Sequence, residues 1–251
     1  MNRAPNRLKN KLACLFVMWL SLPHHDHGRG GRSVLAERRE RRSQQERSAE
    51  TSTRLLEAAI DLLHDRGISR MPTPEIAAYA GVSRGALTHH FSSREDLVTS
   101  AIARMLGHVT EDLHRFAEDI NARGGSSDEI VDYLWKIMSD RLFYVTMEYL
   151  PEARHNGDFR ASLVPVVKGF HSGLDAIWMA LATSRGTDPD RTRTVMNASM
   201  CMIRGMIAQT VLRDDPAYFA ELLDFWKEQA RQHFPDKPAK VAGRRPKGKA
   251  A

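Results

Sequence analysis

Two cysteines in 251 residues, Cys14 and Cys201, exclude a disulfide framework, and their separation fits no Cys-type zinc site. Such usage suits a reducing cytoplasm, the expected location of the chain. The one apolar stretch that stands out, Lys11–Leu22 (KLACLFVMWLSL), is shorter than the ~20 apolar residues a membrane-spanning helix needs. Strand-like alternation and internal repeats are missing too. So are a glycine-rich phosphate loop, an HExxH pair, a nucleophile at credible spacing from a base, and paired carboxylates set apart from helix-surface charge. An enzyme is therefore not expected, nor a cofactor.

What is present is a chain with 42% hydrophobic residues, enough for a sizeable core without a structural metal. Net charge is +6 and unevenly spread. Residues 1–47 hold 11 basic and 4 acidic groups, residues 235–251 hold 6 and 1, and the middle holds 20 and 26. An acidic body thus carries two basic tails, which attract polyanions or simply keep the protein in solution. The leader resembles the first two regions of a signal peptide but lacks a small-residue cleavage site. PHHDHGRGGR follows, and its His24, His25 and His27 read better as a polar glycine-rich run than as metal ligands. Residues 1–33 are expected to lie upstream of the natural start, with Val34 a candidate alternative start codon. No metal site is expected anywhere.

From Ser48 on, apolar spacing is helical, and the expected fold class is all-α. Leu55, Leu56, Ala59, Ile60 and Leu63 form one stripe, stopped at Gly67. A second helix opens at Thr73 as N-cap with Pro74 in its first position, and ends at Gly81. Then comes AGVSRGALTHHF. Val82 can dock in the core, Ser83 is an N-cap, and Leu87 and Phe91 share a face. A helix over Arg84–His90 is too short to persist without packing. Gly85 costs it about 1 kcal/mol relative to alanine, which makes sense if something must approach the backbone. Outward-facing Arg84, Thr88 and His89 suit an anion. Ser92 with Glu95 predicts a capping box opening a helix to about Asn121. Further helices are expected over 128–149, interrupted at Pro151, then over 159–184, 189–213 and 216–233. The tail from Pro235 lacks periodicity and is expected to be disordered.

Helix, turn and short helix make a helix-turn-helix. Arg54–Ile102, with LLEAAIDLLHDRGI and PEIAAYAGVSRGALTHHFSSREDLV, closely resembles the DNA-binding domain of TetR-family transcriptional regulators. The resemblance implies a homodimer on a palindromic double-stranded DNA operator, with a divergent helical domain that binds a small-molecule inducer and dimerises. It divides the chain into a leader and basic arm (1–47), a DNA-binding domain (48–105), a ligand-binding and dimerisation domain (106–234) and a basic tail (235–251). The implied DNA-binding residues are Thr73, Ser83, Arg84, Gly85, Ala86, Thr88, His89, His90 and Arg94. Arg84 would reach base edges, and Gly85 would bring backbone near a phosphate. Thr73, Thr88, His89, His90 and Arg94 would contact phosphates, with a base as the alternative for His89. The sequence departs from the family at Met71, Pro72, Ala86 and Thr88. Ala86 can still meet a thymine methyl, whereas Thr88 shortens a usual phosphate-reaching phenol.

Independent chemistry points the same way. A helix N-terminus offers free N–H groups to phosphate, and arginine pairs bidentately with guanine for ~1–3 kcal/mol of discrimination. The basic run ERRERRSQQER (Arg38, Arg39, Arg41, Arg42, Arg47) reads either as a groove-following arm or as a solvated, partly helical lead-in. Adjacent His89 and His90 point about 100° apart, which disfavours joint chelation. His90 reads equally as a packed histidine.

Beyond 106 the signals are coarser. Trp135, Met138, Tyr144, Met147, Phe170, His171, Trp178, Met200 and Arg204 are candidates for an adaptable ligand pocket, against the reading of an ordinary helical core. Arg204, in an apolar helix, should pair with a carboxylate such as Glu148 or anchor an acidic ligand. Met202, Gly205, Met206, Phe219, Leu222, Leu223 and Trp226 are the candidate dimer surface. Cys201 reads as an inert buried thiol. The function expected is a ligand-released repressor. An activator of the same fold is the alternative, and the apolar leader raises a membrane-associated interaction protein as a third reading.

Overall fold

The computed structural model describes residues 33–236, with side-chain surroundings from Ser43 onward. The leader, its histidines, Cys14 and the basic tail beyond Asp236 lie outside the described residues, as do the side chains of Arg38, Arg39, Arg41 and Arg42. Contacts divide the chain into two units, one ending at Arg47 and one starting at Ser48. Every regular element among the described residues is helical. They are α1 (Ser33–Arg66), a 3-10 turn (Ile68–Arg70), α2 (Thr73–Tyr79), α3 (Arg84–His90), α4 (Arg94–Arg123) and α5 (Ser127–Ile137). After a π-helical turn (Met138–Leu142) come α6 (Phe143–His155), α7 (Gly157–Arg185), α8 (Pro189–Thr210) and α9 (Pro216–His233). In the first unit, Arg47 folds back to donate to the Ser43 carbonyl and hydroxyl, both at 3.2 Å.

Within the second unit, one core runs from α1 to Phe234. Its central contact is α4 against α7. Three pairs fix the geometry: Thr99 with Ser162 at 3.2 Å, Thr110 against Gly173, and Asn121 with Ser184. The same offset of 63 residues along both helices means that they run parallel. Gly173 permits the approach, since a Cβ there would stand 3.0 Å from the Thr110 methyl. α4 passes unbroken through positions 105 and 106.

Four local expectations change. Thr73 is the first helical residue, not the cap; extended Pro72 precedes it and offers no side-chain acceptor. The cap of α4 is Ser93, whose hydroxyl accepts from the Asp96 N–H at 3.0 Å. Ser92 instead donates its N–H and hydroxyl to the Asp96 carboxylate, so Asp96, not Glu95, closes the cap. The helix expected over 128–149 breaks at Asp140 (φ −93°, ψ −159°). Pro151 does not interrupt a helix but lies inside α6, as Pro165 does inside α7. Both prolines are exposed, as are Met147 and Ala161 four residues earlier, so water can reach the carbonyls their rings leave unpaired.

Candidate nucleic-acid interface

The sharp turn before α3 is built from three devices. Gly81 adopts φ 64°, and its N–H bonds the Ala78 carbonyl at 3.0 Å. The Val82 N–H reaches the Ala77 carbonyl at 2.9 Å, which completes a Schellman closure of α2. From α1, Arg54 donates to the carbonyls of Ala80 (2.6 Å) and Gly81 (3.2 Å). A Cβ on Gly81 would stand 2.7 Å from that guanidinium nitrogen, so a side chain there would push the Arg54 tip aside, and the φ of 64° itself favours glycine. Ser83 then caps α3, its hydroxyl accepting from the Ala86 N–H at 3.1 Å. Leu87 (3% exposed) and Phe91 (8%) hold the helix to the core.

This leaves Ser83, Arg84, Gly85, Thr88 and His89 exposed, with Ala86 and His90 half-buried. Neither the Arg84 guanidinium nor the His89 imidazole hydrogen-bonds any described residue; His89 only meets His90 edge to face, 5.4 Å between centroids. The His90 ring also lies 6.4 Å from that of its neighbour Phe91, between centroids. Among the described residues nothing forbids a side chain at Gly85: a Cβ would meet only the Ser83 hydroxyl, at 3.9 Å.

Two expected phosphate donors are engaged elsewhere. The Thr88 hydroxyl donates back to the carbonyls of Gly85 (3.1 Å) and Arg84 (3.3 Å), so it must turn away from its own helix before it can donate outward. Arg94 donates to the Met71 carbonyl at 3.1 Å and to that of Ile68, bracing the loop into α2. Its half-buried guanidinium is a structural tie. Arg54 was not among the expected residues. It shows in sequence only as a cation off the apolar stripe of α1, with nothing to announce carbonyls 26 residues away.

The helical body corrects several expectations. Met138, Phe170, Trp178 and Met200 are buried, and Tyr144 and Trp135 are half-buried. Tyr144 meets His64 edge to face at 5.7 Å, and Trp135 tilts against Phe219 at 6.3 Å. Met147 and His171 are exposed, turned away from the core their neighbours fill. The indole N–H of Trp178, fully buried, has no acceptor among the described residues. Half-buried Arg204 does not meet Glu148, which instead accepts from the Ile68 N–H at 3.2 Å. Cys201 is exposed, not buried. Two open clefts, of about 240 and 270 Å³, are lined by other residues than the ligand candidates: one between α8 and α9 beside Trp226, one between α1, α4 and the π-helical turn.

Of the candidate dimer residues, Met206, Phe219 and Leu223 face the chain's own core. Met202 and Gly205 are exposed, and Leu222 and Trp226 are half-buried, the Trp226 indole donating to the Ser199 hydroxyl at 2.8 Å. Phe225, 55% exposed, belongs to that outer face and was not anticipated. No helix among the described residues is long and apolar enough to cross a membrane, and no group of three His, Cys, Asp or Glu side chains gathers as a metal site.

A helix-turn-helix head on a large helical body is the architecture of a DNA-binding regulator. The family model for bacterial regulatory proteins of the tetR family matches residues 55–101. The HTH-type transcriptional regulator ArpR of Pseudomonas putida is 32% identical over 193 residues, covering 69% of this chain and 86% of ArpR. A structure described as a TetR-family transcriptional regulator from Mesorhizobium loti superposes with a TM-score of 0.61 at 16% identity, over 74% of this chain and 96% of that one. The multidrug binding protein EbrR, complexed with ethidium, matches with a TM-score of 0.52 at 25% identity, over 74% and 99%. The chain belongs to the TetR family and is a transcriptional regulator.

Proposed function

We propose that the protein is a repressor that binds a palindromic operator as a homodimer and lets go when a small molecule enters its helical body. One observation carries this reading: the outward face of α3 presents an unengaged guanidinium, an unengaged imidazole and a bare backbone at Gly85, all on a helix pinned from behind by Leu87 and Phe91. Arg84 and His89 are the base- and phosphate-reading pair, and Gly85 admits the DNA backbone. Ser83, Ala86, Thr88 and His90 frame that face, while Thr73 contributes from the start of α2. The residues assigned to the inducer are the buried Met138, Phe170, Trp178 and Met200 and the half-buried Trp135, Tyr144 and Arg204. A buried N–H without an acceptor costs ~1–3 kcal/mol, which a ligand oxygen would recover. EbrR supports the inducer half of the proposal, as a relative of the same fold that holds ethidium.

Footprinting the full-length protein on DNA flanking its own gene, followed by titration of the protected duplex, tests the reading. Arg84→Ala/His89→Ala should abolish sequence-selective binding while leaving the helical content unchanged. Undiminished selectivity in that variant ends the proposal.

A further inference from the structure

The loop that leads into α2 is gripped from two sides. On one side Arg94, at the start of α4, donates to the carbonyls of Ile68 and Met71. On the other, the Glu148 carboxylate reaches from α6 and accepts from the Ile68 N–H at 3.2 Å. Gly67, buried and at φ 76°, is what lets the carboxylate in: a Cβ there would collide with it. The turn that precedes α6 is tied as well. Arg141, in the π-helical turn just before α6, pairs with Asp61 of α1, and Asp61 also accepts from the Tyr79 hydroxyl of α2 at 3.4 Å. α6 and the turn before it therefore hold the DNA-reading head at two points, one on the shaft of α1 and one on the loop that aims α2 and α3.

We propose that Glu148 is a positioning residue that, with the Arg141–Asp61 pair, fixes the attitude of α3 relative to α6 and so sets the operator spacing the protein reads. The inference rests on the operator-binding dimer proposed above. The two ties differ in chemistry. Glu148 satisfies a buried backbone donor and needs only an acceptor oxygen, so glutamine can replace it; the Arg141–Asp61 pair lies at the surface and needs both charges. A small shift of α6 would pull on the loop through a single hydrogen bond while Arg94 anchors its far side, so movement of the body turns the head instead of stretching it. A clamp serving stability alone would lower the melting temperature without altering which DNA is chosen.

The test selects duplexes with full-length protein from a pool in which two half-sites are separated by spacers of varied length. Wild type should enrich one spacer. Glu148→Ala should enrich the same half-site sequence over several spacers and bind the wild-type duplex about tenfold more weakly, the size expected for one orphaned buried donor. Glu148→Gln should track wild type. Arg141→Ala, at the exposed end of the link, should relax spacing in the same direction and covers the case in which Glu148→Ala does not fold. A single unchanged spacer in the folded variants overturns the proposal. Hydrogen exchange on the DNA-free proteins probes the same latch without an operator. Glu148→Ala should speed exchange through Ile68–Arg70 and across α2 and α3 while α4 and α7 stay protected, and a change confined to Ile68 overturns the proposal. If wild type enriches no paired half-sites, the operator reading fails and exchange alone decides whether the latch exists.

Discussion

Gly85 sits in the first turn of α3, where alanine is worth about 1 kcal/mol more to a helix. Its backbone is helical and the described residues leave the space around it open, so none of them favours glycine. Gly85→Ala should therefore raise the unfolding free energy by about 1 kcal/mol, read by denaturant melts, and at the same time weaken operator binding. A variant that is stabilised and binds DNA as before would show that nothing approaches the backbone there. Gly81 is the opposite case. Its left-handed φ disfavours a side chain and a Cβ would displace the Arg54 guanidinium, so Gly81→Ala should lose ~1–2 kcal/mol of stability through backbone strain and loosen the Arg54 tie. These residues were legible because their chemistry is local: a left-handed turn calls for glycine, and a helix start calls for a hydroxyl at Ser83. Arg94, Thr88 and Arg54 were not. A sequence shows that a donor is present but not which carbonyl it will find, and all three donate to backbone oxygens that only the fold brings near.

At the scale of elements, α3 spans seven residues and depends on its two anchors. Leu87→Ala should cost ~2–5 kcal/mol, melting the head and abolishing DNA binding, with circular dichroism still reporting most of the helix. Helix starts and stops were largely readable from caps and glycines; the break at Met138–Leu142 was not. It lets Arg141 turn out to Asp61 while Met138, Leu142 and Phe143 stay buried, a tertiary demand that overrides a continuous helical pattern. The start of α5 adds a titratable joint to α9. Arg231 forks onto Asp128 with two contacts of 2.7 Å, and this hydrogen bonding holds the Asp128 carboxyl below its usual range. Glu129 is lowered too, chiefly by Arg123 and then by the Ser126 N–H it accepts in the capping box. A carboxyl depressed in the folded state stabilises fully above its unfolded value, near ~4, and that stabilisation fades as pH falls through the folded value. Asp128→Asn should thus make thermal stability less sensitive to acidification below about pH 4, with little difference in slope near neutrality. Equal acid sensitivity in the two proteins would place the linked proton elsewhere.

For the whole molecule, the question is what covers the outer face of α8 and α9. Apolar side chains appear on both faces of these helices, so sequence pattern alone could not tell the face that builds the chain's own core from one that meets a second copy. Burial separates them: Met206, Phe219 and Leu223 turn inward, while Met202 and Phe225 remain exposed beside half-buried Leu222 and Trp226. Gly205, on the same outer side, carries no side chain and has no described residue within 4 Å of where one would start, so a facing helix can lie close. A stable pair needs roughly 800 Å² from each partner, more than one aromatic supplies, so Phe225 should act as the centre of a patch and not alone. Phe225→Glu places a charge in that centre without touching the core. It should shift sedimentation from dimer to monomer, leave the melting profile of the monomer close to that of wild type at dissociating concentration, and reduce affinity for a two-half-site operator far more than for a single half-site. Phe219→Ala should do the reverse, destabilising the fold by ~3–5 kcal/mol because its ring lies inside. If Phe225→Glu sediments and binds the paired operator as wild type does, the proposed two-fold contact does not run through this face.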